Sequence, residues 1–409
     1  MKNKIITTAV IVSALGYFVD AFDLILFGVV RVKSLQALGF EGEALTEAGI
    51  FLQNWLMAGL LLGGVFSGII GDKFGRVKVL YGSIALYSLA NLANGMVMDV
   101  GTYALCRFIA GMGLAGEVGT GITLVAESLP KEKRGLGTTI VATFGMLGAL
   151  CAGMIDWVIP DWRMAYYFGG GLGIVLLLLR IRVQESGVYE KIKTDAKIER
   201  GNILPFFKSR ALLGRLLKNT FLGGTTWFVV GILVFLAPEF GRAKGIEEAL
   251  SPAQAVIWFH IGMVLGDISS GLISQILRNR IRTVQLFLSL QTIIVAAYLF
   301  VPLSSAISMY ILIAVLGFTA GFWAVFITNA SEQFGTNLRA TAACTIPSLV
   351  RGLFIPIGLG FTFFKSEAVV GNVLGAAGVL GAICLGLAFW ASFGLEDGFD
   401  RDLDYLEVG

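Results

Sequence analysis

The sequence predicts an all-α membrane protein with twelve transmembrane helices arranged as two six-helix bundles. Three observations predict it. Of the 409 residues, 56% are hydrophobic and only 14% are charged, about half the charge of a soluble domain. The apolar residues fall into stretches near the ~20 residues that cross a bilayer. The second half of the chain also repeats the first. A net charge of +3 is too small to imply nucleic-acid binding, so the expected surroundings are lipid.

The apolar stretches run at 5–30, 47–70, 79–98, 101–126, 137–159 and 164–181, then at 212–237, 252–276, 283–303, 306–329, 341–363 and 369–393. The first follows Lys2 and Lys4, lacks a small-residue cleavage site and carries Asp20 and Asp23, so it reads as a retained span and not a signal peptide. In the second and fourth, small residues recur on one helical face, including Gly59, Gly63 and Ser67, then Gly111, Gly113 and Gly116, a pattern that lets helices approach closely. The eleventh holds Pro347 and Pro356, which kink it around Arg351. Cys106, Cys151, Cys344 and Cys384 all lie in apolar stretches without a CxxC neighbour and read as apolar filler, with no metal site and no cofactor implied.

One long polar interval separates six spans from six. The expected organisation is an N-terminal bundle over 1–182, a cytoplasmic linker over 183–210, a C-terminal bundle over 211–395 and an acidic tail over 396–409, read as a solvated end. With a cytoplasmic N-terminus, 23 of the 31 Lys and Arg fall on inner segments. That bias sets both termini in the cytoplasm.

Three features recur in order. Glu43-Ala-Leu-Thr46 matches Glu248-Ala-Leu-Ser251 at an offset of 205, with the Thr or Ser expected to cap the next helix. Trp55-x3-Gly59-x3-Gly63-x3-Ser67-Gly68 matches Trp258-x3-Gly262-x3-Gly266-x3-Ser270-Gly271 at 203, and Glu127-x6-Arg134 recurs as Glu332-x6-Arg339 at 205. Duplicated bundles of this kind are a transporter architecture, with the substrate between them near the midplane and exposed to each side in turn.

Gly68-Ile-Ile-Gly-Asp72-Lys-Phe-Gly75-Arg76-Val-Lys78 resembles the G-x3-D-[RK]-x-G-[RK] signature of the major facilitator superfamily. Asp20-Ala-Phe-Asp23-x4-Gly28, Arg107-x3-Gly111-x-Gly113-x2-Gly116-Glu117, Glu127-x6-Arg134-Gly135, Trp162-Arg163 and Glu185-Ser-Gly-Val-Tyr189 resemble its metabolite:proton symporter and sugar porter branch. Departures are Asp20 for Glu, Ala115 for Gly, Gly187 for Pro, and Gln275 where the second half would repeat Asp72.

Ionisable residues inside spans cost ~2.5–3.5 kcal/mol on insertion scales and are functional candidates by default. Asp23 and Arg107 sit at similar depth and are expected to face each other; the resemblance implies that they form the proton-coupling pair. A static buried ion pair is the other reading. Asp20 shares a helical face with Asp23 and would titrate with it. Glu117 either takes a proton or contacts substrate, or locks helices through a hydrogen bond. Arg351 is the candidate contact for a substrate carboxylate, unless it bonds a carbonyl freed by the kink. Asp267 either joins that site or neutralises Arg351, and His260 is a proton carrier or a packed neutral histidine. Gly68, Asp72, Gly75, Arg76, Glu127, Arg134, Glu332 and Arg339 would gate the inner rim.

The expected function is proton-coupled symport of a small polar metabolite by a monomer in the inner membrane, with an organic acid favoured by Arg107 and Arg351. A zwitterion, organic cation or sugar is the alternative, because acidic residues outnumber those arginines. A membrane substrate sensor would need a signalling domain, and an enzyme would need a nucleophile–base or metal constellation; neither pattern occurs in the sequence.

Overall fold

The computed structural model describes residues 8–74, 76–128, 131–180, 209–334 and 336–399. Every regular element among them is helical. The first six are α1 (Thr8–Ala37), α2 (Gly42–Phe74), α3 (Arg76–Asn94), α4 (Val100–Ser128), α5 (Lys131–Val158) and α6 (Trp162–Arg180). There follow α7 (Arg210–Phe228), a π-helical turn (Val229–Val234), α8 (Ala237–Ala243), α9 (Pro252–Leu277) and α10 (Arg280–Phe300). The last are α11 (Ala306–Ala320), α12 (Trp323–Glu332), α13 (Thr336–Gly352), α14 (Phe354–Lys365) and α15 (Val373–Phe393). Nine described stretches are long and apolar enough to cross a membrane. Joined across their interruptions, the helices accommodate twelve crossings.

Contacts divide the chain into two units: Met1–Phe40 with Phe51–Ile203, and Glu41–Ile50 with Leu204–Gly409. In the first, α1 packs on α4, α5 and α6, while α3 packs on α4 and α6. Asp161 caps α6 by accepting from the Arg163 N–H at 2.8 Å. The Arg163 guanidinium stacks on Trp162 and donates to the Gly95 and Val97 carbonyls at 2.9 and 2.8 Å. The Trp-Arg pair therefore satisfies carbonyls left open where α3 ends.

In the second unit α9 packs on α11, α7 on α13 and α15, and α10 on α11 and α15. Ser251, Asn279 and Asn372 each accept a backbone N–H three residues on, the side-chain caps that stabilise a helix start by about 1 kcal/mol. Ser251 thus caps as expected, but Thr46 does not. The second helix begins a turn earlier, at Gly42, so Thr46 lies inside it and donates to Glu239 Oε1 at 3.3 Å.

The duplication extends to packing. A Cβ at Gly59 would strike the Phe108 carbonyl, and one at Gly111 the Leu56 carbonyl; in the second unit, Gly262 meets the Ala314 carbonyl and Gly317 the Phe259 carbonyl. Each unit therefore contains the same backbone-to-backbone helix contact, which only glycine permits.

Three sequence boundaries need correction. The first helix runs on to Ala37, past the expected end at residue 30, so Arg31 is a buried residue of α1. The tenth apolar stretch breaks at Gly321–Phe322 and the eleventh at Leu353. Pro356 has no N–H for the Gly352 carbonyl, which accounts for the second break. The tail was read as solvated, yet its first residues dock. Asp397 Oδ1 accepts from the Arg280 N–H at 2.7 Å, the Gly398 N–H donates to Asn329 Oδ1 at 3.1 Å, and the Arg280 guanidinium lies 5.2 Å from the Phe399 ring centre.

Candidate functional site

The first unit gathers its buried charge around α1. Asp20, Asp23 and Phe27 follow one another at intervals of three and four, so one helical face carries all three. Both aspartates are buried, as are Arg107 and Glu117 on α4. Asp20 and Arg107 act electrostatically on Asp23, and the Asn91 amide is close enough to act on it as a donor. Neither Asp23 oxygen is in hydrogen-bond geometry with a described donor. Gly169 of α6 has no side chain where a Cβ would lie 2.5 Å from Asp23 Oδ1, so that α6 backbone forms one wall of the carboxylate's pocket.

Arg107 is held close by but not on Asp23. Its Nη2 donates to Gln53 Oε1 at 3.2 Å, and its guanidinium lies over Phe27, 4.3 Å from the ring centre. A cation over an aromatic face in an apolar setting gains on the order of 2 kcal/mol. Tyr103 and Tyr166 share a hydroxyl–hydroxyl bond of 2.6 Å and feel the same guanidinium. Phe27 and Trp162 pack on Tyr103. The cluster therefore sets Arg107 near buried carboxylates while Gln53 and Phe27 hold its guanidinium.

Gln53, Asn91, Tyr103 and Tyr166 were not singled out from sequence. Gln53 and Asn91 carry the same signal as the charges, a polar group where an apolar stretch makes it expensive, but only ionisable residues were weighed.

In the second unit Asp267 and His260 lie on α9 and Arg351 on α13. Asp267 Oδ1 accepts from the Ala324 N–H at 3.3 Å. It thus supplies the start of α12 with an acceptor from a neighbouring helix, a role sequence spacing did not suggest. His260 is buried, with Nδ1 2.8 Å from the Val256 carbonyl of its own helix and its ring against Phe259, the arrangement of a packed histidine. Arg351 is buried at the end of α13, two residues before the Leu353 break.

At the proposed rim, Glu332 closes a two-point ion pair with Arg280, Nε to Oε2 at 2.5 Å and Nη2 to Oε1 at 2.8 Å. Arg280 is the first residue of α10, a partner that the Glu332-x6-Arg339 spacing does not point to. Gly68, Asp72, Gly75, Arg76, Glu127, Arg134 and Arg339 lie outside the residues whose side chains are described.

A family model described as Major Facilitator Superfamily matches residues 13–359. The chain is 26% identical to the niacin transporter NiaP of Acinetobacter baylyi, over 81% of each chain. It is 25% identical to the arabinose-proton symporter of Bacillus subtilis, covering 83% of this chain and 85% of that one. Its fold is similar to the crystal structure of a D-xylose-proton symporter, with a TM-score of 0.74 at 15% identity over 96% of this chain and 98% of that one.

Proposed function

From the premise that the chain belongs to the major facilitator superfamily, we propose that it is a proton-coupled symporter of a small organic acid. It is an integral membrane transporter of that superfamily and not an enzyme. The observation that carries the finer reading is the burial of Asp23 beside an Arg107 that is bonded elsewhere.

A buried carboxylate and guanidinium within electrostatic reach have two low-cost arrangements. With Asp23 protonated, Arg107 rests on Gln53 and Phe27. With Asp23 ionised, the two charges are drawn together, because an uncompensated buried charge is expensive. Switching between them ties the proton to a helix rearrangement, and with it to the access state. Asp20 and Glu117 extend the acidic path along α1 and α4.

Arg351 is the proposed contact for the substrate carboxylate, with Asp267 and His260 as further lining candidates. The relative named for niacin, a pyridine carboxylate, supports an acid. A sugar or a cationic or zwitterionic cargo is the second reading, supported by the arabinose-proton relative and by the excess of buried acids. The reading includes two rocking bundles, 1–182 and 211–395, a linker between them and a monomer in the inner membrane with both termini inside. The rim residues around Asp72, Glu127 and Glu332 act as its gates.

Uptake into proteoliposomes under an imposed pH gradient, across carboxylates, sugars, betaines and amines, tests this. Carboxylates are expected to accumulate, and Asp23→Asn to abolish accumulation while substrate still equilibrates. Accumulation intact in Asp23→Asn would overturn the coupling role. Substrate binding intact in Arg351→Ala would overturn the carboxylate contact.

A further inference from the structure

We propose that the α7/α15 seam of the second unit seats an anionic glycerophospholipid, its phosphate in a basic cavity at one end and an acyl chain in an apolar groove farther along. Two separate observations carry this. The first is a cavity of about 380 Å³ at the start of α7 and the end of α15, lined by Arg210, Arg215, Lys218, Gln333 and Glu396. That volume would hold roughly a dozen waters. Arg215 Nη1 donates to the Gln333 carbonyl at 3.0 Å there, so Arg210 and Lys218 carry the basic character, and the α7 amino end adds positive potential. The floor is open at Gly214, where a Cβ would meet nothing within 4 Å. Lys218 donates to the Gly394 carbonyl at 2.8 Å, which uses one of its three N–H groups.

The second observation is a groove of about 170 Å³ where the start of α14 meets the same two helices, lined by Phe221, Leu353, Pro356, Ile383, Cys384 and Leu387 among others. Leu387 is seven residues from Gly394, about 10 Å along the helix. The groove therefore begins at acyl-chain depth within one leaflet, whose hydrocarbon half is about 15 Å thick. Phe221 at the groove's edge packs on the exposed Trp390, which lies between Leu387 and Gly394, the rings 6.5 Å apart. A basic pocket at the interface, in line with an apolar slot below it, matches a phosphate joined to a chain. That the leaflet is the inner one rests on the orientation proposed above; the seat itself does not.

Trp390 lies where it can report occupancy. The full-length protein would be reconstituted in symmetric bilayers containing 6,7-dibrominated phosphatidylglycerol or phosphatidylcholine. Its fluorescence would be compared with that of Trp390→Phe to isolate the seam signal. Quenching at Trp390 is expected to favour phosphatidylglycerol, and Arg210→Gln, at an exposed position, to cut the preference about fivefold, the worth of one surface cation. Cys384→Phe, which fills the groove, is expected to weaken quenching without changing the fold. Equal quenching by the two lipids would overturn the proposal, as would a preference that survives Arg210→Gln combined with Lys218→Gln. If glycerol 3-phosphate abolishes the preference while Cys384→Phe leaves it unchanged, the cavity serves a soluble phosphate and the lipid seat fails. None of these readouts depends on transport, so failure here leaves the symport reading standing and the reverse.

Discussion

Glu332→Gln should destabilise the second unit by about 2–3 kcal/mol. The Arg280–Glu332 pair makes two short contacts, and the side chains are only 14% and 13% exposed. Breaking a fully buried pair costs about 3–5 kcal/mol, whereas an exposed pair is worth about 0.2–1 kcal/mol. This pair stands near the buried end, and glutamine keeps the shape and one acceptor. The structure also supplies an internal control. Asp397 reaches Arg280 through its backbone N–H and not through its guanidinium. Unfolding in detergent, followed across two double-mutant cycles, separates these cases. Arg280→Gln with Glu332→Gln should show coupling above about 1.5 kcal/mol, while Arg280→Gln with Asp397→Ala should be additive within about 0.5 kcal/mol. Asp397→Ala alone should cost about 1 kcal/mol as a lost cap. Strong coupling in the second cycle, or none in the first, would refute the assignment of these contacts.

Gly262→Val should cost about 1–3 kcal/mol or prevent folding, since its side chain would collide with the Ala314 carbonyl, while Gly271→Ala, with nothing within 4 Å, should be near neutral by monodisperse yield in detergent. Asp267→Ala should lose about 1 kcal/mol through the bare start of α12, and Asp267→Asn should recover most of it; equal losses in thermal unfolding would argue against capping. Asp99 lies outside the spans and accepts from the Thr102 hydroxyl at 2.6 Å and its N–H at 2.8 Å, bonds that hold its carboxyl below the usual value near 3.8. Because the folded group is the stronger acid, its stabilising effect is present above the ordinary carboxylate range and lost as pH falls through the depressed value. Asp99→Ala should therefore be less stable than the parent at neutral pH and indistinguishable from it in strong acid.

Asp23 and Arg107 were legible in the sequence because a charge in an apolar run is conspicuous and carries a stated cost. Gln53 was not, because an amide looks ordinary in a list of spans, although it holds the guanidinium away from the acid. Arg31 misled for the opposite reason: a cation near the end of an apolar run reads as loop, and only helix packing reveals that the chain continues. The Leu353 break could be inferred from Pro356. The Gly321 break could not, since its cause is tertiary. The Gly321 backbone fits against Gly266 and Asp267, where a Cβ would collide, and Asp267 then serves the restarted helix. The Glu332 partner likewise comes from another helix, which linear spacing does not encode.

Among the described residues, the helices of the first unit run without an interior break, whereas the second has a π turn and two interruptions. Each interruption leaves peptide groups without their usual intrahelical partner at depths where water is scarce. A side chain is exchanged by a single codon change, but a main-chain amide or carbonyl persists through nearly all of them. Any contact made through those freed peptides resists mutation, while contacts through the first unit's buried side chains remain open to it. Selection can then retune the first unit's buried side chains while these main-chain groups stay constant.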